Sequence, residues 1–278
     1  MATIVGGIGV SHVPALGLAM AKNMQADPYW EPFFKGLAPA RAWIDSVRPD
    51  AVVIFYNDHG LNFFLDKMPT FAVGAAPAYL NADEGWGLPV SAPFPGDPAL
   101  SWRIINHLIA NEFDLTTCQE MLVDHAFALP LKMLWPDGVT IPIVPVAINT
   151  VQHPLPSIHR CFNLGRTIGE AIAADPSDRR VLVIGSGGLS HQLDGERAGF
   201  INKAFDTAFL EELVTQPERL SRYSVLDVVE QAGTQGVELL MWVAMRAALG
   251  GPVRQVYQNY HIPISNTAAC LLALEPSR

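Results

Sequence analysis

Charged side chains are scarce in this chain. Asp, Glu, Lys and Arg make up 16% of its 278 residues, against roughly 25% in typical soluble domains. Lys and Arg number only 18 against 27 acidic residues, for a net charge of −9, and no basic run occurs. That argues against nucleic acid as a partner, because phosphate backbones are held by clustered cations. An anionic small molecule stays open, since one local cationic or amide-rich pocket suffices for it. Cysteine is sparse too: Cys118, Cys161 and Cys270 are far apart, odd in number and without C-x-x-C pairing. They argue against a disulfide frame or a zinc site and for reduced thiols in the cytoplasm. Ile4 to Ala21 is apolar but lacks a basic leader and contains Gly6, Gly7, His12 and Pro14. It therefore reads as a core strand followed by a loop, with no membrane association.

Several catalytic motifs are missing as well. Gly7-Ile8-Gly9-Val10-Ser11-His12 begins like a dinucleotide fingerprint but has His12 at the third glycine, with no helix expected to open there; Gly185-Ser186-Gly187-Gly188-Leu189-Ser190 fails at Ser190. No Walker A lysine, G-x-S-x-G elbow or H-E-x-x-H occurs, which argues against kinase, serine-hydrolase and zincin chemistry.

What the chain has is apolar bulk: AVILMFWYC reaches 50%. A chain of this length buries about three quarters of its unfolded surface around one core. A large buried sheet or a subunit interface would each account for the low charge. Thr3–Gly9, Ala51–Tyr56, Thr140–Ile148, Arg180–Gly185, Val253–Tyr257 and Ala268–Leu274 are short and rich in Val, Ile and Leu, the pattern of buried strands. Helical patterns fall at Pro32–Ser46, Ala99–Asn111, Ser157–Ala174, Arg197–Val214 and Gly236–Leu249. This alternation predicts an α/β fold, one domain over 1–278, with a mostly parallel or mixed sheet covered by helices on both faces. Gly60–Pro98 is Pro- and Gly-rich, with Trp86 and Phe94 embedded and no clear period. It reads as a lid, a binding loop or an interface arm.

Against that background, His12 in Ser11-His12-Val13-Pro14 and His59 in Asn57-Asp58-His59-Gly60 each follow a predicted strand end. Open α/β sheets gather ligands there, although a lone loop histidine is as readily an ordinary hydrogen-bonded one. Glu238, in Gly233-Thr234-Gln235-Gly236-Val237-Glu238, is the carboxylate of an otherwise apolar helix. A glutamate in a first turn also simply complements the helix dipole. Two imidazoles and one carboxylate are the set that holds non-heme Fe(II) from one side and leaves the other open. His191 follows a glycine-rich turn and suits a general acid/base, or else a turn histidine. His125 sits where a helix starts after Asp124, as a second acid/base, a supporting donor or a structural residue. His107, His153, His159 and His261 are read as structural.

The spacing of Ser11-His12-Val13-Pro14, Asn57-Asp58-His59, Ser190-His191 and Gly233–Glu238 resembles the class III (LigB-type) extradiol ring-cleaving dioxygenases. Ala82–Gly87, Thr116–His125 and Asn149–Pro156 extend the likeness over almost the whole chain, most strongly toward the catalytic subunits that open protocatechuate at its 4,5 bond. The resemblance implies His12, His59 and Glu238 as ligands of Fe(II), His191 as acid/base and His125 lining the pocket. It implies Asn57, Ser265 and Thr267 near the substrate, an aromatic molecule with two adjacent hydroxyls that reacts with O2. Fused members carry a small α-type domain on the same chain. With Arg278 soon after the last predicted strand, the resemblance implies a separate small α subunit. Ring opening of gallate, methylgallate or another substituted catechol is the neighbouring alternative. A metal-binding protein of the same fold without oxygenase activity is the alternative of another class.

Overall fold

All residues from Ala51 to Tyr56 are buried, and their side chains alternate between two cores. Ala51, Val53 and Phe55 join one apolar cluster, while Val52, Ile54 and Tyr56 join the other. A strand apolar at every position is thus a strand covered on both faces. The computed structural model, which describes residues 1–85 and 87–277, extends this pattern across the chain; Trp86 and Arg278 lie outside the described residues.

In chain order the first elements are β1 (Thr3–Val10), α1 (Pro14–Ala21), α2 (Glu31–Lys35), α3 (Leu37–Val47), β2 (Ala51–Tyr56), β3 (Phe71–Gly74), β4 (Ala78–Asn81), β5 (Phe94–Pro95), α4 (Pro98–Ala110), β6 (Thr116–Cys118) and β7 (Leu122–Val123). There follow α5 (His125–Leu134), β8 (Ile143–Ile148), α6 (Ile158–Ala173), β9 (Arg180–Ser186), α7 (Lys203–Thr215), α8 (Val225–Ala232), α9 (Leu239–Ala248), β10 (Val253–Ile264) and β11 (Thr267–Pro276). Eight strands form the main sheet in the order β10-β11-β1-β9-β2-β8-β3-β6, and β5-β4-β7 form a small second one. The centre, β1-β9-β2-β8, is parallel. Antiparallel pairs flank it: β11 on β1, β10 on β11, and β3 on β8. The mixed α/β sheet expected from strand–helix alternation is what forms.

Helices α4, α6, α7 and α9 cover one face through Ile104, Leu164, Phe205 and Trp242. Helices α1, α3 and α5 cover the other through Leu16, Ile44 and Phe127. Parallel central strands put the ends of β1, β2, β8 and β9 along one edge. Because β11 runs antiparallel to β1, its first residue, Thr267, arrives at that same edge and bridges to His191.

Several local expectations are corrected. The loop expected after Ser11 is instead helix α1, which opens at Pro14, where a missing N–H is harmless. The helix expected over Pro32–Ser46 breaks at Gly36 into α2 and α3; Pro39 has no N–H to continue the first helix's ladder. The segment Gly60–Pro98 contains β3, β4 and β5. Strands of four residues or fewer give no periodic window, so sequence reading saw only a loop. The helix expected from Arg197 starts at Lys203, capped by the Asn202 side chain on Phe205 N. The strand expected to end at Tyr257 runs to Ile264. A turn with Ser265 at φ 55° links it to β11.

Helices α6 and α9 meet through glycine. A Cβ on Gly165 would lie 2.0 Å from the Ala244 carbonyl oxygen, and one on Gly169 2.4 Å from that of Ala248. Backbone cannot yield as a flexible side chain can. Gly165→Ala should therefore lower stability by about 1–3 kcal/mol, read as a lower urea midpoint at unchanged slope. An unchanged midpoint would mean that the two helices separate freely.

Candidate metal centre and active site

Four imidazoles converge at this edge, and the structure fixes which nitrogen each presents. His12, just past β1, lies 2.8 Å through Nδ1 from Ser186 Oγ. The Ser186 hydroxyl gives its one proton to the Ala126 carbonyl, so it can only accept from His12 Nδ1–H. That turns His12 Nε2 toward Glu238, 3.2 Å from its Oε1. Asp58, just past β2, accepts from the backbone N–H groups of Leu61, Asn62 and Phe63 and so shapes the turn that carries His59. His59 donates both its backbone N–H and Nδ1–H to Asp124 Oδ2, at 2.9 and 2.8 Å. Its Nε2 faces Glu238 Oε1 at 3.6 Å. Asp124 uses its other oxygen to cap α5 at Ala126 N.

His191 gives Nδ1–H to the Leu189 carbonyl at 2.8 Å, so Nε2 points at Glu238 Oε2, 3.7 Å away. His125 is gripped by Glu84, whose carboxylate takes both the His125 backbone N–H, at 2.7 Å, and its Nδ1–H, at 2.8 Å. The His125 ring stacks on His59 with centroids 4.4 Å apart. In every case the outer nitrogen is anchored and Nε2 is turned inward, the arrangement that orients imidazole ligands.

Glu238 ends the short 3-10 turn Gly236–Glu238 rather than sitting inside α9. Its Oε2 accepts from Gly188 N at 2.7 Å. Glycines make the approach possible: a Cβ on Gly233, at φ 91°, would lie 2.2 Å from the His191 carbonyl oxygen. The Asn57 amide donates to Glu238 Oε1 at 3.3 Å and lies 3.0 Å from His59 Nε2. Its buried Oδ1 has no partner.

Charge explains why such a set needs a cation. Burial opposes ionisation of Glu238, yet His12, His59 and His191 hold its carboxyl well below the ordinary range. Burial likewise opposes charge on His59, but Asp124 and Glu238 outweigh it and raise that imidazole to about 10. Burial opposes ionisation of Asp124 as well, but its bonds to His59 lower that carboxyl to about 2. His125 is pushed down, first by burial, then by the positive field of His59 and His12. His12, His59 and His125 each offer a nitrogen within 4.8 Å of the others. Imidazole nitrogens and a carboxylate facing one point, with an orphaned amide oxygen beside them, fit a divalent metal. Glu84, Asp124 and His125 also gather, but those carboxylates are occupied by imidazole and amide N–H groups.

These groups line one side of a cavity of about 740 Å³ that Thr150, His153, Gln235, Ser265 and Thr267 also border. Every residue singled out from sequence is thus at one cavity: His12, His59, Glu238, His191, His125, Asn57, Ser265 and Thr267. His153, read as structural, is a wall residue as well. Sequence reading missed Ser186, Glu84 and the His59 bond of Asp124. Glu84 and His125 are 41 positions apart, and no local pattern couples them.

Known proteins resemble this chain over much of its length. The family described as the catalytic LigB subunit of aromatic ring-opening dioxygenase matches residues 6–270. A gallate dioxygenase of Pseudomonas putida is 36% identical over 193 residues, 69% of this chain and 57% of that protein. A 2,3-dihydroxyphenylpropionate/2,3-dihydroxicinnamic acid 1,2-dioxygenase of Comamonas testosteroni is 34% identical over 66% of this chain and 55% of its own length. The chain thus spans little more than half of these relatives. An uncharacterized protein of Escherichia coli K12 shares the fold at TM-score 0.63, with 17% identity over 97% of this chain and 99% of its own.

With His59 raised to about 10 when no metal is bound, a divalent ion must displace one proton at neutral pH. Affinity should therefore rise by about one log unit per pH unit between pH 6 and 8, with near-stoichiometric proton release in calorimetric titrations. Asp124→Asn should weaken binding about 10- to 100-fold. A pH-independent affinity would contradict the proton displacement.

Proposed function

Since the chain belongs to the LigB family of aromatic ring-opening dioxygenases, we propose that it is the catalytic chain of a ferrous-iron extradiol dioxygenase acting on a dihydroxylated aromatic acid. The observation that carries this reading is the convergence of His12 Nε2, His59 Nε2 and Glu238 Oε1 at a cavity wall, with His191 Nε2 beside them. His12, His59 and Glu238 hold the metal. Bound Fe(II) supplies a Lewis acid that lowers the catechol pKa and a route for one-electron transfer to O2.

The protein's own groups do the rest. His191, whose Nδ1–H is tied to the Leu189 carbonyl, presents Nε2 to take a proton from a ring hydroxyl and return it as the ring opens. The carboxylate of Glu238 faces the imidazolium so formed. His125, kept toward neutrality by burial and fixed by Glu84, offers Nε2 to a substrate oxygen. Asn57, Ser265 and Thr267 contact the ring and its substituents, while Val13, Leu155 and Val237 add apolar wall to the cavity.

The named relatives support gallate or a propionate-substituted catechol over protocatechuate, the substrate to which the resemblance pointed first. Among the described lining residues there is no Lys or Arg. A carboxylate is therefore met by hydroxyl and amide donors of this chain, or by a separate small subunit that covers the site. Three unpaired cysteines support a reducing, cytoplasmic setting, and no described helix is long and apolar enough to cross a membrane.

Oxygen uptake by the Fe(II)-loaded chain, with and without a co-expressed small subunit, tests the reading on gallate, protocatechuate, 2,3-dihydroxyphenylpropionate and catechol. Uptake with formation of a yellow ring-opened product is expected. Tight iron binding without uptake on any substrate would favour the metal-binding protein without oxygenase activity. His12→Ala, His59→Ala and Glu238→Gln should each lose iron by metal analysis; full iron content removes that residue from the ligand set. His191→Ala should keep iron and substrate while kcat falls by roughly 10²- to 10⁴-fold.

A further inference from the structure

One buried carboxylate lies outside the metal centre and takes no part in the chemistry above. Asp206, on α7, has no solvent exposure, and burial pushes its carboxyl up. Three donors compensate: Ser190 N at 2.9 Å, Ser190 Oγ at 2.6 Å and Tyr260 OH at 2.9 Å. Ser190 Oγ in turn accepts from Asn202 N, the residue that caps α7. Ser190 immediately precedes His191, and the rest of the turn is fastened as well. Ala268 N donates to the Ser190 carbonyl at 3.0 Å, and His191 N to the Ala232 carbonyl at 2.7 Å.

A buried carboxylate is expensive unless fully hydrogen-bonded, and an apolar residue would fill the same space without that cost. Two of the three Asp206 bonds come from Ser190, the residue before His191, and the third, from Tyr260 on β10, anchors the carboxylate. From this we infer that Asp206, working through Ser190 and held by Tyr260, is a positioning residue for His191, setting the reach of its Nε2 toward Glu238 and the substrate. The inference rests on the acid/base role proposed for His191. Proton transfer depends on distances near 3 Å, so a displacement of about 1 Å in the turn is enough to slow it.

The test is a double-mutant cycle in the iron-loaded full chain, with gallate or whichever catechol the wild type opens fastest. Asp206→Asn should lower kcat roughly ten- to a hundredfold, the scale of a lost charge-assisted hydrogen bond. KM and iron content should stay within about threefold of wild type, an estimate for a residue that touches neither substrate nor metal. Tyr260→Phe and Ser190→Ala should shift kcat in the same direction by less, and they carry the test if Asp206→Asn does not fold. In the His191→Ala background each of these substitutions should cost nothing further in kcat, because residues acting through one another are non-additive. If the wild type opens no ring, the functional reading itself falls. If it does, and Asp206→Asn is equally harmful with and without His191, or harmless in both, Asp206 does not act through His191.

Discussion

A buried carboxylate facing two imidazole nitrogens is the constraint around which the protein is arranged. Glu238 Oε1 stands 3.2 Å from His12 Nε2 and 3.6 Å from His59 Nε2, with its other oxygen on a backbone amide. Such a group is tolerable in a protein interior only with positive charge beside it. In the bare chain that charge is a proton on His59, and a divalent cation answers the same need. The outer partners Ser186, Asp124, Leu189 and Glu84 all serve one geometric end. Each takes the Nδ1–H of a histidine, so that the opposite nitrogen faces the cavity.

Sheet topology delivers these groups. Parallel β1, β9, β2 and β8 end at one edge, so the residues that follow them meet although they are far apart in sequence. The antiparallel return of β11 adds Thr267 and Ser265 to the same rim. Glu238 reaches it where Gly187 and Gly233 let backbone segments approach more closely than a Cβ allows. The packing of α6 on α9 through Gly165 and Gly169 then holds that helix, and its leading carboxylate, against the sheet.

Much of the frame was legible beforehand. The runs at Ala51–Tyr56 and Arg180–Gly185 are apolar at nearly every position, and only a strand covered on both faces satisfies that pattern. Short or broken elements were not legible. Strands Phe71–Gly74 and Ala78–Asn81 are too brief to show a period, and Pro39 divides a helical pattern that hydrophobic spacing alone reads as continuous. The three proposed ligands stood out because each follows a strand end or a glycine turn. His153 did not, since its place on the cavity wall depends on how the chain after β8 folds back.

By itself the sequence determined the alternation of strands and helices, the poverty of charge, and the residue types from which a metal centre can be made. Those are local properties, written in spacing and composition. Only the tertiary structure decided that residues 12, 59, 191 and 238 share one cavity, which nitrogen each histidine presents, and that Glu84, Asp124, Ser186 and Asp206 stand behind them. Hydrogen bonds between groups dozens to hundreds of positions apart leave no periodic trace along the chain. They exist only once the backbone has brought their partners within about 3 Å.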